Sequence, residues 1–303
     1  MEKNYVVLAK QVPDTKKITG KAMKDDGTVN RAALPTVFNP DDLCALEMAL
    51  RLKDQYGGTV TVVTMGPPSA TEILRQSLYR GVDKCVLLTD RKFAGSDTLA
   101  TSMVLSYALK KIENISLVLC GRQAIDGDTA QVGPQVAEKI GFPQISYVQE
   151  ILGIEKNNVK IKRIIENGYA IQEAPMPILM TCCSTSDAYA RPCSAKNLQK
   201  YKKATSYSET VQKYMVNGTP KDEAFKVAKD YIESLTSEKS PVEEWDLETI
   251  GLDENLCGLG GSPTWVKQIE SVVLTATDHK HIPATNEGIS SLVLELIDDH
   301  ILD

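Results

Sequence analysis

Glycine, carboxylate, hydroxyl and carboxamide side chains are concentrated in one run: Gly121-Arg122-Gln123-Ala124-Ile125-Asp126-Gly127-Asp128-Thr129-Ala130-Gln131-Val132. The apolar stretch Ser116 to Cys120 leads into it and reads as a strand. Val132, Val136 and Ile140 follow at helical spacing, and Gly141-Phe142-Pro143 supplies a stop. Such a strand–loop–helix is expected to open its helix at about Thr129. Its first free backbone N–H groups would then point at the sheet end, and with the positive end of the helix dipole they make an anion site. Gly127 is expected to let the backbone turn sharply and approach a ligand. Asp126 and Asp128 are poor phosphate neighbours by charge and suit ribose hydroxyls or loop N–H groups instead. A second reading needs no ligand: Asp128 or Thr129 is then simply a helix N-cap.

The elements that must position this run alternate between strand and helix. Tyr5–Ala9, Thr59–Thr64, Cys85–Leu88 and Ser116–Cys120 read as short β-branched strands, with helices at about 41–54, 69–80, 97–112 and 129–140. Asn39 stands before Pro40 at a first helical position, Ser69-Ala70-Thr71-Glu72 reads as a capping box, and Gly81 as a stop. Alternation with short links predicts a parallel sheet with covering helices, whose ligand cleft lies beyond the carboxyl ends of the strands. The loops 9–14, 65–68 and 120–129 all fall at that edge. From Ile145 the pattern turns to strands at 145–151, 158–165 and 169–173, with Asn167-Gly168 as a hairpin turn and Ile178–Cys182 returning. Beyond Ala190 the chain turns polar. Thr219-Pro220 opens an amphipathic helix with Ala224, Ala228, Tyr231 and Leu235 on one face, 241–275 reads as irregular, and 286–302 as a terminal helix. Two parts are therefore expected: an α/β nucleotide-binding domain at 1–190, and at 191–303 an extended arm that packs on another chain, or else folds back on its own domain.

Composition narrows the function. The 303 residues carry a net charge of −6, the balance opposite to a nucleic-acid binder. No apolar run reaches about 18 residues, so no membrane span is expected, and Met1-Glu2-Lys3-Asn4-Tyr5 has no secretory pattern. Seven scattered cysteines without a C-x-x-C pair fit reduced thiols in a cytoplasmic protein, and with His only at 279, 281 and 300 no structural metal site is expected. No P-loop occurs, and Gly258-Leu259-Gly260-Gly261-Ser262-Pro263 fails the dinucleotide fingerprint. A nucleotide cradle without an evident acid, base or nucleophile fits chemistry carried by a bound cofactor.

Gln123 to Gln135 resembles the signature segment of the electron-transfer flavoprotein β subunit. So do Lys10-Gln11-Val12-Pro13-Asp14, Phe38-Asn39-Pro40-Asp41-Asp42, Met65-Gly66-Pro67 and the late Gly258 to Thr264. The resemblance implies an adenine-nucleotide α-hydrolase-like (Rossmann-like) parallel-sheet fold and an αβ heterodimer. One FAD would lie mainly on the α subunit, with AMP or a second FAD on this one. Carried over by position, the cradle would comprise Leu8, Ala9, Asn39, Pro40, Asp41, Asp42, Met65, Gly66 and the run from Gly121 to Val132. Asn39 would read an adenine edge or merely cap a helix; Thr129, Ala130, Gln131 and Val132 would offer amides to phosphate.

Ser96-Asp97-Thr98-Leu99-Ala100-Thr101-Ser102 is similar to an element of the electron-bifurcating members. Thr98 and Thr101 would leave room for an isoalloxazine, or serve only a helix start. The resemblance thus implies FAD over AMP, NADH as electron donor, and electrons split between ferredoxin or flavodoxin and the α-subunit FAD, which serves an acyl-CoA or hydroxyacid dehydrogenase. The loop 184–198, with Leu198, falls where the family docks that dehydrogenase. Arg122 would neutralise phosphate or pair with an acid such as Asp126. An alternative is a non-bifurcating subunit with structural AMP; one of another class is a nucleotide-sensing module of the universal-stress type. A nucleotide-activating ligase would need a Ser-Gly-Gly loop where Lys10-Gln11-Val12-Pro13 stands.

Overall fold

The strand residues of the N-terminal half are apolar on both faces, as strands covered on both sides require. In β1 (Asn4–Leu8), Tyr5 and Val7 enter one core and Val6 and Leu8 the other, all four buried. The computed structural model describes residues 3–14, 35–183, 190–235, 240–264 and 280–299. A short antiparallel ribbon, β2 (Gln11–Pro13) with β3 (Thr36–Phe38), is followed by α1 (Pro40–Tyr56), β4 (Thr59–Met65), α2 (Thr71–Arg80) and β5 (Lys84–Leu88). Then come α3 (Thr98–Lys110), β6 (Ile115–Gly121) and α4 (Val132–Ile140), the strands β7 (Gln144–Glu155), β8 (Asn158–Ile165) and β9 (Gly168–Pro175), and the returning β10 (Ile178–Cys182). The last third holds α5 (Ala195–Tyr201), α6 (Tyr207–Val216), α7 (Lys221–Ser234), β11 (Val242–Trp245), α8 (Leu247–Ile250) and α9 (Asn286–Asp298).

The main sheet runs β11-β5-β4-β1-β6-β10-β7-β8-β9. All pairings from β11 to β7 are parallel, and β8 and β9 extend the sheet antiparallel. The chain steps outward from β1 through β4 to β5, then returns to β6 on the other side of β1. The order thus reverses between β1 and β6, and ligands of open parallel sheets bind in the crevice beyond such a reversal. Leu46, Leu50, Leu74 and Leu78 of α1 and α2 fill one core, while Val104, Leu109, Val136 and Ala137 of α3 and α4 fill the other. This is the expected α/β, Rossmann-like arrangement. No helix among the described residues is long and apolar enough to cross a membrane.

Three local expectations are corrected. The capping box at Ser69 does not form: Pro68–Ala70 make a 3-10 turn, no side chain caps α2, and the Ser69 hydroxyl reaches Gln11 Oε1 at 3.4 Å. Pro68, with its φ already near the helical value, starts that turn before Ser69 can act as a cap. Next, α4 begins at Val132, not at Thr129. Finally, Ala224 and Ala228 of the α7 face expected against another chain are covered within this one, and other described segments beyond 191 pack on the first part of the chain. α5 packs on α2, α8 packs on α3, and β11 joins the sheet edge with Val242 opposite Cys85 and Trp245 opposite Leu88. Ala224 and Ala228, expected to face another subunit, are buried with Val211 between α6 and α7. By contrast α9 buries none of its residues, and Ile289 and Leu294 are 54% and 62% exposed. Residues 184–189 of the expected docking loop, His279, His300 and the end of the terminal helix lie outside the described residues; Leu198 is on α5, 48% exposed.

Candidate functional site

The crevice is held together from below by α1. The buried Asp42 carboxylate accepts the Lys10 backbone N–H on Oδ2 (2.8 Å) and the Gly121 N–H on Oδ1 (2.7 Å), so one side chain joins the ends of β1 and β6. Gly121 makes this contact possible, because a Cβ there would stand 2.5 Å from Asp42 Oδ1 and 2.7 Å from Asp41 Cβ. Burial pushes the Asp42 carboxyl up to about 7, although the Gly121 and Lys10 amides and the Asn39 side chain work against the rise. Asn39 precedes α1 without capping it. It is fully buried: its Nδ2 donates to Gln123 O (2.8 Å) and its Oδ1 accepts from Ile125 N (3.2 Å). Its amide is therefore engaged by the loop backbone and is not presented to an adenine edge. Asn39, Pro40, Asp41 and Ile125 are not among the lining residues; Asn39 and Asp41 instead hold the loop, through Gln123 and Ile125 and through Arg122.

Within the loop, the sharp backbone does not fall where glycine stands. Gly127 has an ordinary φ and its Cβ position is open, whereas Asp128 (φ 49°) and Ala130 (φ 53°) are left-handed. An aspartate tolerates that region, while an alanine there costs about 1–2 kcal/mol. Gln131 is the residue before α4 and caps nothing, so neither Asp128 nor Thr129 is the N-cap. The acids are tied internally: Lys10 Nζ donates to both oxygens of Asp126 (2.7 and 2.9 Å), and Gln123 Nε2 donates to Asp128 (2.8 Å). Arg122 pairs instead with Asp41 (3.7 Å) and lies 5.7 Å from the Tyr147 ring centroid. Among the described residues, the amides of Thr129, Ala130, Gln131, Val132 and Gly133 have no acceptor, and Pro134 has no N–H to offer.

The start of α3 forms the facing wall. One Asp97 oxygen caps the helix by accepting from Ala100 N (3.0 Å). Thr98 Oγ1 donates to Gln131 Oε1 (3.0 Å), and Ser102 donates to Gln135 Oε1 (3.0 Å), so α3 and the start of α4 are tied together. Leu8, Ala9, Asp42, Met65, Gly66, Thr98, Thr101 and the residues from Gly121 to Val132 other than Ile125 line a single cavity of about 1490 Å³. Every residue expected at the site, save Asn39, Pro40, Asp41 and Ile125, thus meets in one place. The wall also includes residues that sequence reasoning did not assign, among them Lys10, Arg91, Thr264 and, from α6 and α7, Val211, Met215 and Phe225. Lys10 and Thr264 carried a signal, since both lie in recognisable motifs; the helical residues carried none. The cavity offers amides, hydroxyls and carboxamides rather than a poised nucleophile, and burial holds the Cys120 thiol well above its usual range.

The electron transfer flavoprotein domain matches residues 26–211, more than half of the chain. Over 299 residues the chain is 39% identical to the caffeyl-CoA reductase-Etf complex subunit CarD of Acetobacterium woodii, covering 98% of this chain and 99% of that one. It is 40% identical over 301 residues to the acryloyl-CoA reductase electron transfer subunit gamma of Anaerotignum propionicum, with 98% of each chain covered. It is 36% identical over 299 residues to the electron transfer flavoprotein subunit beta of Clostridium acetobutylicum, covering 99% of this chain and all of that one (100%). The chain therefore belongs to the electron transfer flavoprotein family, on its β-subunit side.

Proposed function

We propose that this chain is the β subunit of a bifurcating αβ electron transfer flavoprotein and holds FAD, rather than AMP, above β1 and β6. The cavity's extent carries this reading. It runs from the free amides of Thr129–Gly133 across the strand ends to the hydroxyls of Thr98 and Thr101, and its volume of about 1490 Å³ exceeds the roughly 300–1,000 Å³ of common small-molecule sites. A mononucleotide would leave much of it unfilled. The amides suit a pyrophosphate. Lys10 offsets the charge of Asp126 and so removes a repulsion that the loop sequence alone would imply. Thr98 and Thr101 offer hydroxyls to the polar edge of a flavin, while Leu8 and Met65 give apolar surface to the lining. When bound, FAD would supply hydride acceptance from NADH and the division of the two electrons, chemistry that belongs to the cofactor.

The electrons would pass to ferredoxin or flavodoxin and to the α-subunit FAD, which serves an acyl-CoA or hydroxyacid dehydrogenase. The names of two relatives, both attached to CoA-ester reductases, favour the acyl-CoA case. The exposed apolar residues of α9 suit an α-subunit interface, and the seven cysteines, six of them buried, suit reduced thiols in the cytoplasm. The test is the nucleotide released on denaturing the purified αβ complex. Two FAD per heterodimer and direct reduction by NADH are expected. One FAD with one AMP, and no direct reduction, would refute bifurcation and leave family membership intact.

A further inference from the structure

The late motif Gly258 to Thr264 does not line a site of its own; it grips the start of α3. The Asp97 oxygen left free by the helix cap accepts both the Thr264 hydroxyl (2.6 Å) and the Thr264 backbone N–H (3.1 Å). The Asp97 N–H donates to Ser262 Oγ (2.9 Å), whose own proton goes to Gly258 O (2.6 Å). The Gly258 N–H in turn donates to Ser96 Oγ (2.9 Å). Asp97 is thus the point where two requirements meet. One carboxylate oxygen fixes the first turn of α3, and the other is held by a segment more than 160 residues away in sequence. The residue that follows Asp97 is Thr98, which lines the cavity and reaches Gln131 on the opposite wall.

We infer that Ser262 and Thr264 form a latch that positions Asp97, and through it Thr98 and Thr101, for the nucleotide; this rests on the reading of the cavity as a nucleotide site. With the latch open, Asp97 loses three of the hydrogen bonds that orient it, and the α3 wall is no longer referenced to the loop it faces. Ser262 does not reach the cavity and acts through Asp97 and the neighbouring Gly95 and Gly258, while Thr264 also borders it. Both are positioning residues.

The test uses the purified αβ complex with Ser262→Ala, Thr264→Val and Thr264→Ser. Affinity for the β-site nucleotide should fall roughly tenfold in Ser262→Ala and Thr264→Val, the size of one lost hydrogen bond to a charged or well-placed group. Thr264→Ser, which keeps the hydroxyl, should restore it. Where that nucleotide is a flavin, its visible absorption envelope should shift in the first two variants and return in the third, which loss of stability alone would not produce. A wild-type complex with two nucleotides and variants that match it in affinity and spectrum would overturn the latch alone. A wild-type complex that releases a single nucleotide would overturn the reading of the cavity, and the latch with it.

Discussion

Two glycines six positions apart, Gly121 and Gly127, separate what the fold needs from what a ligand needs. In Gly121→Ala the new Cβ would meet Asp42 Oδ1 at 2.5 Å, Asp41 Cβ at 2.7 Å and the Asp41 carbonyl carbon at 2.8 Å. Two of these atoms belong to the first turn of a 17-residue helix packed on the sheet, so they cannot swing away as a flexible side chain would. Overpacking of this kind costs about 1–3 kcal/mol. If relief comes by parting Gly121 N from the Asp42 carboxyl group, a hydrogen bond worth about 0.5–1.5 kcal/mol is lost as well. A total near 3 kcal/mol corresponds to a fall in Tm of about 6–12 °C. Gly127→Val is the counterpart. Apart from its own chain neighbours, no described residue places an atom within 4 Å of its Cβ position, and φ there is not left-handed, so stability should change by less than about 0.5 kcal/mol. Gly127 lines the cavity, however, and a Val side chain would occupy space beside the free amides. Thermal unfolding and nucleotide content, measured together on the αβ complex, distinguish the two. Gly121→Ala should lose stability and nucleotide; Gly127→Val should keep stability and lose nucleotide. A stable Gly121→Ala would refute the argument from Asp42, and full nucleotide retention in Gly127→Val would move the phosphates away from this loop.

Two further predictions concern pH and buried charge. Asp42 has its folded pKa raised to about 7 from an unfolded value near 3.8. The folded state therefore keeps a proton that the unfolded state has released, and stability should fall by up to about 4 kcal/mol as pH rises from about 4 to 7. Asp42→Asn should remove that slope, read as the difference between wild-type and variant denaturation curves across the same range; parallel curves would contradict it. Glu209 gives the opposite sign. Burial alone would raise it, but Arg75, bonded at 2.8 and 2.9 Å, and Thr205 hold its carboxyl at about 2. Its contribution of about 3 kcal/mol should be present above pH 4.5 and lost as pH falls toward 2. Arg75→Ala should cost about 3–5 kcal/mol by stranding that carboxylate and should release α6 from α2, seen as faster amide exchange in α6; unchanged exchange would mean that the helix is held by other contacts.

The sheet was legible because its strands are apolar on both faces and its helices carry plain signals. Asn158–Ile165 and Ile178–Cys182 match their expected bounds, and Gly81 ends α2 in the left-handed conformation. The site was legible as a set of loops, because alternation alone places the ends of β1, β4 and β6 on one edge. What could not be read was which side chains face inward. Asn39 has the composition of a base-reading residue, yet its amide is satisfied by backbone groups 84 and 86 positions away, a contact that only the folded chain defines. The left-handed positions fell on Asp128 and Ala130 rather than on Gly127 for the same reason: loop geometry was set by tertiary ties at Gln123 and Asp126. β11 has four residues, too few for a period, and owes its place to the exposed edge of β5.

The ties on the loop also resolve an apparent conflict of charge. For the loop proposed here to hold phosphate, Asp126 and Asp128, with Asp42 beneath them, would by charge alone repel the ligand. Each acid, however, is committed elsewhere: Asp42 to two backbone amides, Asp126 to Lys10 and Asp128 to Gln123. Lys10 is the common member. Its backbone N–H is fixed by the acid at the base of the crevice, and its ammonium by the acid in the loop, so the end of β1 and the loop after β6 are located by one residue. The acids serve as acceptors that shape the backbone, and the shape they impose leaves five successive amides with no acceptor among the described residues, at the mouth of the sheet. The Lys10-Gln11-Val12-Pro13 segment takes the place where a phosphate loop would stand in other nucleotide-binding sheets. Here the lysine is bonded to the loop carboxylate, and in the proposed site the cradle would be supplied from the β6 side.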